Sequence, residues 1–181
     1  MDAVEEHIVD AASVLSVCRF DRDRVADVGS GGGFPGVVLS VLEPTADVTL
    51  IEAAERKVAF LKGVVRELGL RRTRVLHGRA EESGGERAYD AVLAKALGSI
   101  EVALPVCLRL VAVSGRVILY KGPGWGGQEP AARELARQAG AELGWVREVE
   151  LPGLGRRNVF VEFHVKQQGP SEANQTNQAA S

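Results

Sequence analysis

The sequence predicts an α/β fold of the Rossmann-like type, with a mostly parallel sheet of seven strands that ends in an antiparallel hairpin. Three observations predict it. Short apolar stretches with strand character alternate with stretches of helical periodicity, which is the pattern of repeated βαβ units. A glycine-rich segment directly follows the first of these strands. The last two strand-like stretches are joined only by Pro152–Arg157, a short link that is typical of a hairpin.

The individual elements follow from periodicity and from stop signals. A helix is predicted over residues 4–18, because apolar side chains recur there at helical spacing. Further helices are predicted over 36–42, 55–68, 100–110 and 129–139, and Gly69 and Gly140 end two of them. Strands are predicted over 25–28, 47–52, 74–77, 89–94, 116–121, 145–151 and 158–165. Residues 78–86 are predicted to form a loop or a weak helix, and residues 122–127 a glycine-rich turn.

Length and composition limit the organisation of the chain. A chain of 181 residues can bury one hydrophobic core, and we expect one domain over residues 1–166. Residues 167–181 are small and polar, which predicts a disordered tail. The net charge of −2 excludes whole-chain basicity as an argument for nucleic-acid binding. Contacts with RNA would have to come from local basic clusters, namely Arg19/Arg22/Arg24, Arg71/Arg72/Arg74 and Arg156/Arg157.

The sequence also disfavours several classes of protein. Cys18 and Cys107 lie in apolar stretches without metal-binding spacing, so we expect buried free thiols in a reducing compartment. The histidines are scattered, and no metal site is predicted. The first ten residues lack the apolar core of a signal peptide, and no apolar stretch is long enough to span a membrane. We therefore expect a cytoplasmic monomer without a membrane partner.

The segment Asp27–Gly36 (DVGSGGGFPG) gives the strongest functional signal. Glycine permits positive φ angles and lets the backbone approach a ligand closely, and N–H groups at the start of the next helix point toward that ligand. The candidate cofactor contacts in this segment are Gly29, Gly31, Gly33 and Phe34. Asp27 ends the preceding strand, where its carboxylate could bind an ammonium group of the cofactor or organise the loop.

The loop alone leaves the cofactor open. Gly31, Gly33 and Gly36 match the dinucleotide fingerprint G-x-G-x-x-G, and an acid at the end of the second strand, here Glu52, can accept the ribose hydroxyls of any adenosine cofactor. Asp27 and Pro35 favour S-adenosylmethionine over NAD, because Pro35 suits a sharply bent loop better than a pyrophosphate cradle. The terminal hairpin agrees, since it is characteristic of the class I methyltransferase version of this fold.

Further candidates follow the later strands. Ala80 and Glu81 come after the third strand, where a backbone N–H or a side chain can contact an adenine. Lys95 and Lys121 mark the ends of the fourth and fifth strands, at the edge where ligands bind in this architecture. We expect both cations to flank one crevice and to pair with a carboxylate or a phosphate. The alternatives are a solvated acidic turn for Glu81 and a solvated helix start for Lys95.

Other catalytic motifs are missing from the sequence. It contains no recognisable nucleophile–base pair, no Walker lysine motif and no Asn/Asp-Pro-Pro-Tyr motif, with which methyltransferases of amino groups hold an exocyclic nitrogen. This pattern fits a target that is already nucleophilic, such as a purine ring nitrogen, for which positioning and desolvation suffice.

Four segments of the sequence, DVGSGGGFPG, LIEAAERKVAFLKGVVRELGL, VLHGRAEE and LYKG, resemble the bacterial small-subunit rRNA guanine-N7 methyltransferase family RsmG, also called glucose-inhibited division protein B. The similarity runs from His7 to Lys166. It implies transfer of a methyl group from S-adenosylmethionine to N7 of a guanine in 16S rRNA, free or within the small ribosomal subunit. By position, it implies cofactor contacts at Gly29, Phe34, Glu52, Ala80 and Glu81, and it places the family's cation after the fourth strand at Lys95.

The chain departs from the family in two respects. An arginine usually stands where this chain has Lys95, and the region before the first strand is shorter here. We expect the guanine to approach over Phe34 and the lysine edge, with RNA phosphates at Arg156, Arg157 and residues 19–24. Two alternatives remain: a small-molecule methyltransferase of the same fold, and an NAD- or nucleotide-binding Rossmann protein.

Overall fold

The structure is a computed structural model that describes residues 2–82 and 86–166, without the side chain of Glu81. The strands are β1 (Arg24–Val28), β2 (Asp47–Glu52), β3 (Thr73–His77), β4 (Tyr89–Lys95), β5 (Val111–Lys121), β6 (Ala141–Leu151) and β7 (Arg156–Val165). The helices are α1 (Ala3–Ala12), α2 (Gly36–Leu42), α3 (Glu55–Glu67), α4 (Ile100–Leu110) and α5 (Trp125–Gln138). Short 3₁₀ turns span Ser13–Ser16 and Ala80–Glu82. The predicted disordered tail, residues 167–181, lies outside the described residues.

These strands form one sheet of seven in the order β3-β2-β1-β4-β5-β7-β6. The strands from β1 to β5 pair in parallel, whereas β7 is antiparallel to both β5 and β6. Dinucleotide-binding domains place a sixth parallel strand beside β5 instead. The predicted seven-stranded sheet with its terminal hairpin is confirmed, and the reversed β7 separates this fold from the NAD-binding alternative.

The core consists of one apolar layer on each face of the sheet. On one face, Leu39 of α2 and Leu61 of α3 pack against Leu93 and Ile118. On the other, the helices α4 and α5 cover strand residues that alternate with those of the first face. Of the two cysteines, Cys107 is buried in this second layer and Cys18 is half-buried, and neither forms a disulfide. Among the described helices, none is both long and apolar enough to cross a membrane.

Several predicted boundaries were wrong. The strands β5 and β6 begin at Val111 and Ala141, whereas starts at residues 116 and 145 were predicted. The first helix stops at Ala12 and continues only as a 3₁₀ turn, whereas a helix to residue 18 was predicted. The helix α5 begins at Trp125 rather than at Glu129, in spite of two glycines in its first turn. The buried Trp125 ring lies edge-on against Phe163, with 6.4 Å between ring centroids. This packing outweighs the low helix propensity of glycine, which is worth only about 1 kcal/mol per residue.

Candidate cofactor and substrate site

The glycine-rich loop between β1 and α2 lies at the carboxyl edge of the sheet and is tied to β2. The backbone N–H groups of Gly29 and Ser30 donate to the Ile51 carbonyl oxygen, at 2.9 and 3.1 Å. Gly29 and Gly33 have φ angles of 72° and 94°, which residues other than glycine rarely adopt. The loop is therefore fixed on the neighbouring strand before any ligand binds.

The last glycine of the loop, Gly36, lets α2 lie against β1 and β2. Its N–H donates to Asp27 Oδ2 at 3.0 Å. A Cβ atom at this position would lie 2.3 Å from Leu50 Cδ2 and 2.5 Å from Asp27 Oδ2. No side chain fits there, so this glycine serves helix packing rather than ligand contact.

Asp27 lies beneath the loop and is fully buried. Its Oδ2 holds the N-terminus of α2, whereas Oδ1 has no hydrogen-bond partner within residues 2–82 and 86–166. Burial raises the pKa of this carboxyl group from 3.8 to about 6. Of the two roles that the sequence left open, these contacts are those of a residue that organises the loop.

The buried Asp27 carboxyl is expected to make stability depend on pH. Between pH 4 and 6 the folded state keeps a proton that the unfolded state has released, so the stability contribution of Asp27 falls as pH rises. Above pH 6 the charged form costs about 3 kcal/mol. The difference in stability between Asp27→Asn and the wild type should therefore grow in favour of the variant as pH rises, by roughly 2 to 3 kcal/mol from pH 4 to pH 7.5. Urea unfolding at several pH values measures this difference. A difference that is constant with pH would contradict this assignment.

Glu52 connects the loop with the start of α3. Its Oε2 accepts a hydrogen bond from Gly31 N–H at 2.9 Å, and its Oε1 accepts one from Ala54 N–H at 2.8 Å. The side chain is almost fully buried. It borders a cavity of about 290 Å³ at the carboxyl ends of β1 to β3, which Gly29 and Ala80 also line. Three of the predicted cofactor contacts thus come together around one cavity.

The same cavity has an apolar wall that sequence analysis missed. Leu97, Val102 and Val106, from α4 and the segment before it, face Glu52 and Gly29 across the cavity. A Cβ atom at Gly29 would lie 2.8 Å from Leu97 Cδ1, so glycine is required for this close approach. The only available signal was the position of these residues just after β4, the strand next to β1 in the sheet.

Three other predicted cofactor contacts, Gly31, Gly33 and Phe34, do not line this cavity. Gly33 and Phe34 line an apolar groove between α1, α2 and α3, together with Ile8 and Phe60. The Phe34 ring packs on His7 of α1 with 5.5 Å between ring centroids. The Gly31 N–H is already bonded to Glu52, and the Glu81 side chain lies outside the description. The structure therefore does not place Gly31, Gly33 or Phe34 among the residues that line the Glu52 cavity.

The Lys95 ammonium is not free, because it lies 2.7 Å from Asp10 Oδ2 of α1. Asp10 is buried, and its Oδ1 accepts a short hydrogen bond from Asn158 Nδ2 of β7. Arg156 extends toward the same carboxylate, with 3.9 Å between Arg156 Nη2 and Asp10 Oδ2. We call Asp10, Lys95, Arg156 and Asn158 the Asp10 cluster. It docks α1 on the carboxyl end of β4 and on the amino end of the antiparallel β7.

Lys121 lies on the opposite face of the sheet from Lys95. The register pairs Lys95 with Tyr120, so Lys121 points to the side of α4. Burial there lowers the pKa of its ammonium, and it forms no ion pair with any described residue. The prediction that the two lysines flank one crevice is therefore wrong.

Arg156 and Arg157 are likewise separated by strand alternation. Arg156 belongs to the Asp10 cluster, whereas Arg157 Nη1 pairs with Glu148 Oε2 of β6 at 2.7 Å. Both arginine side chains are about half exposed. They can still contact a large ligand at this edge, but from different faces of the sheet.

The sheet order, the reversed β7 and the loop under which Asp27 lies define a Rossmann-like methyltransferase of class I. A family model described as GidB, rRNA small subunit methyltransferase G, matches residues 1–142. The chain belongs to that family. The predicted fold, enzyme class and family are thereby confirmed.

Two relatives named ribosomal RNA small subunit methyltransferase G illustrate the similarity. The protein of Symbiobacterium thermophilum is 40% identical over 171 residues, which cover 88% of this chain and 70% of the relative. That of Mesoplasma florum is 30% identical over 164 residues, or 89% and 69% of the two chains.

Solved structures support the fold. A SAM-dependent methyltransferase from Aquifex aeolicus has a TM-score of 0.69 at 22% identity. The match covers 91% of this chain and 94% of the Aquifex chain. The M. jannaschii protein TYW2, solved in complex with AdoMet, has a TM-score of 0.67 at 15% identity. The match covers 90% of this chain and 75% of the TYW2 chain.

Proposed function

We propose that this chain binds S-adenosylmethionine in the Glu52 cavity and transfers its methyl group to N7 of a guanine in 16S rRNA. The observation that supports the cofactor site is the cavity itself, in which a buried carboxylate and the close-packed Gly29 face an apolar wall. The names of the family and of its relatives support the rRNA substrate. We further propose that residues 1–166 form one domain that acts as a cytoplasmic monomer.

The donors and acceptors around the cavity fit an adenosine. A carboxylate has about four acceptor sites, and the N–H groups of Gly31 and Ala54 occupy two of those on Glu52. The remaining sites can accept both hydroxyls of a ribose. Leu97, Val102 and Val106 can cover the flat face of an adenine, which carries no charge.

The chemistry requires little of the protein beyond positioning. S-adenosylmethionine, when bound, supplies an electrophilic methyl group on a sulfonium. N7 of guanine has a lone pair in its neutral form, so no general base is needed. The described residues around this edge therefore act by binding and orienting the guanine and by excluding water. Lys121, Arg156 and Arg157 lie at this edge and Arg79 lines the cavity, so these cations are placed to meet RNA there.

A titration with S-adenosylhomocysteine tests the cofactor site. We expect micromolar binding to the wild type and no binding of NAD. In Glu52→Gln the affinity should fall ten- to a hundredfold, because the amide cannot accept from Gly31, Ala54 and two hydroxyls at once. Glu55→Gln, in the exposed first turn of α3, is the matched control and should bind as the wild type does. Equal affinity in both variants would place the cofactor elsewhere.

Methyl transfer tests the substrate. Tritium from labelled S-adenosylmethionine should appear in 16S rRNA or in small ribosomal subunits that lack the modification, and the product should be 7-methylguanosine. Binding of S-adenosylhomocysteine without transfer to either RNA substrate would favour the alternative, a small-molecule methyltransferase.

A further inference from the structure

We propose that a cleft at the amino-terminal edge of the sheet, opposite the cofactor edge, binds phosphate groups of the RNA substrate. The cleft has a volume of about 420 Å³ and is lined by Arg24, Arg71, Arg72 and Arg74. We call it the arginine cleft. This inference rests on the proposed rRNA substrate and adds a second contact surface to it.

The arginine cleft follows from the parallel sheet. Parallel strands begin at the same edge, so the first residues of β1, β2 and β3 meet there. The register places Arg24 beside Asp47 and Thr49 beside Arg74. Residues that are far apart in the sequence therefore form one polar surface, to which the loop before β3 adds Arg71 and Arg72.

Two of the four arginines are neutralised by acids. Arg24 forms a two-pronged pair with Asp90, with Nη2–Oδ1 at 2.7 Å and Nε–Oδ2 at 2.9 Å. Arg72 Nη2 lies 2.7 Å from Asp47 Oδ2. These two ion pairs stabilise the walls of the cleft. Because each arginine is matched by a carboxylate, neither pair adds net positive charge to the cleft.

The other two arginines keep their charge. Arg74 Nε donates to the neutral Thr49 hydroxyl at 2.9 Å, which orients the guanidinium and leaves its terminal nitrogens for another acceptor. The Arg71 side chain forms no ion pair or hydrogen bond within the described part of the chain. The cleft therefore has an excess of two positive charges.

An anion with several oxygens matches this arrangement. Guanidinium groups bind phosphate through paired N–H donors, and a cleft with four arginines among its lining residues suits a phosphate–sugar backbone better than an uncharged ligand. The two edges of a sheet with strands of five or six residues are roughly 20 Å apart. A folded rRNA is large enough to reach both edges at once, which a mononucleotide is not.

The experiment measures binding of 16S rRNA in the presence of S-adenosylhomocysteine over a series of salt concentrations. The test variant is Arg71→Ala/Arg74→Ala. The matched control is Arg133→Ala/Arg137→Ala on α5, which removes the same charge from another surface. The test variant should bind about tenfold more weakly than the control, and the slope of log affinity against log salt should fall by about 1.4 to 1.8, the value for two lost phosphate contacts. Affinity for S-adenosylhomocysteine should stay unchanged in both.

Three outcomes would overturn the inference. Equal RNA affinity in the test and control variants, with rRNA methylated by the wild type, refutes the arginine cleft but not the proposed function. Inorganic pyrophosphate that binds the wild type, loses affinity in the test variant and leaves RNA binding unaffected indicates a site for a free phosphate ligand. A wild type that binds S-adenosylhomocysteine but neither binds nor methylates 16S rRNA refutes the substrate and the cleft together.

Discussion

Asp10→Ala is expected to destabilise the protein by about 3 kcal/mol, because it leaves the Lys95 ammonium without its partner. Only 19% of the Lys95 side chain and 8% of that of Asp10 are exposed, so water replaces the lost contact only in part. Asn158 loses its acceptor in the same variant. Urea unfolding of Asp10→Ala, Lys95→Ala and the double variant measures the coupling energy of the pair.

An exposed ion pair in the same chain provides the comparison. Arg133 and Glu129 lie 2.8 Å apart on α5, where solvent screens them, and their coupling should be about 0.5 kcal/mol. We expect about 2 kcal/mol or more for Asp10 and Lys95. Couplings of equal size would mean that the Asp10 cluster does not hold α1 on the sheet. Affinity for S-adenosylhomocysteine should change little, since none of the cluster lines the Glu52 cavity.

Gly36→Ala should cost at least 3 kcal/mol, which is large for the addition of one methyl group. The added atom would overlap Leu50 Cδ2 and Asp27 Oδ2 at 2.3 and 2.5 Å, and all three residues are buried. Either α2 moves away from the sheet or the hydrogen bond from Gly36 N–H to Asp27 is lost.

Gly63→Ala is the matched control for this substitution. It lies within α3, and an added Cβ atom would meet nothing within 4 Å. Alanine should therefore be neutral there or stabilise the helix by up to about 1 kcal/mol. Urea unfolding of both variants gives the comparison, and effects of the same sign would contradict the packing described for Gly36.

The fold was predictable because its signals are local. Strand and helix periods, the glycine stops and the loop after β1 each depend on residues that are close together in the sequence. Glu52 was predictable in the same way, as an acid at the end of a strand. The two hydrogen bonds that Glu52 accepts from the Gly31 and Ala54 N–H groups were not predicted, because they depend on how the glycine-rich loop packs against β2.

The substrate edge was less predictable, because it depends on register. Lys95 and Lys121 both end strands, but a shift of one residue in pairing decides which face a side chain occupies. Lys95 is level with Tyr120, which places Lys121 on the other face. Asp10 gave no signal either, since an acid on a short N-terminal helix is usually solvated. Its burial depends on β4 and β7, which follow much later in the chain.

The docking of α1 has a consequence for the order in which parts of the protein fold during synthesis. Asp10 is 148 residues from Asn158, and Ala11 accepts a hydrogen bond from the Tyr120 hydroxyl across 109 residues. The contacts of α1 are therefore complete only after β7 has been synthesised and inserted between β5 and β6. A nascent chain that stops short of β7 has neither Asn158 nor Arg156 to hold Asp10. The edge proposed to receive RNA is thus complete only when β7 is in place.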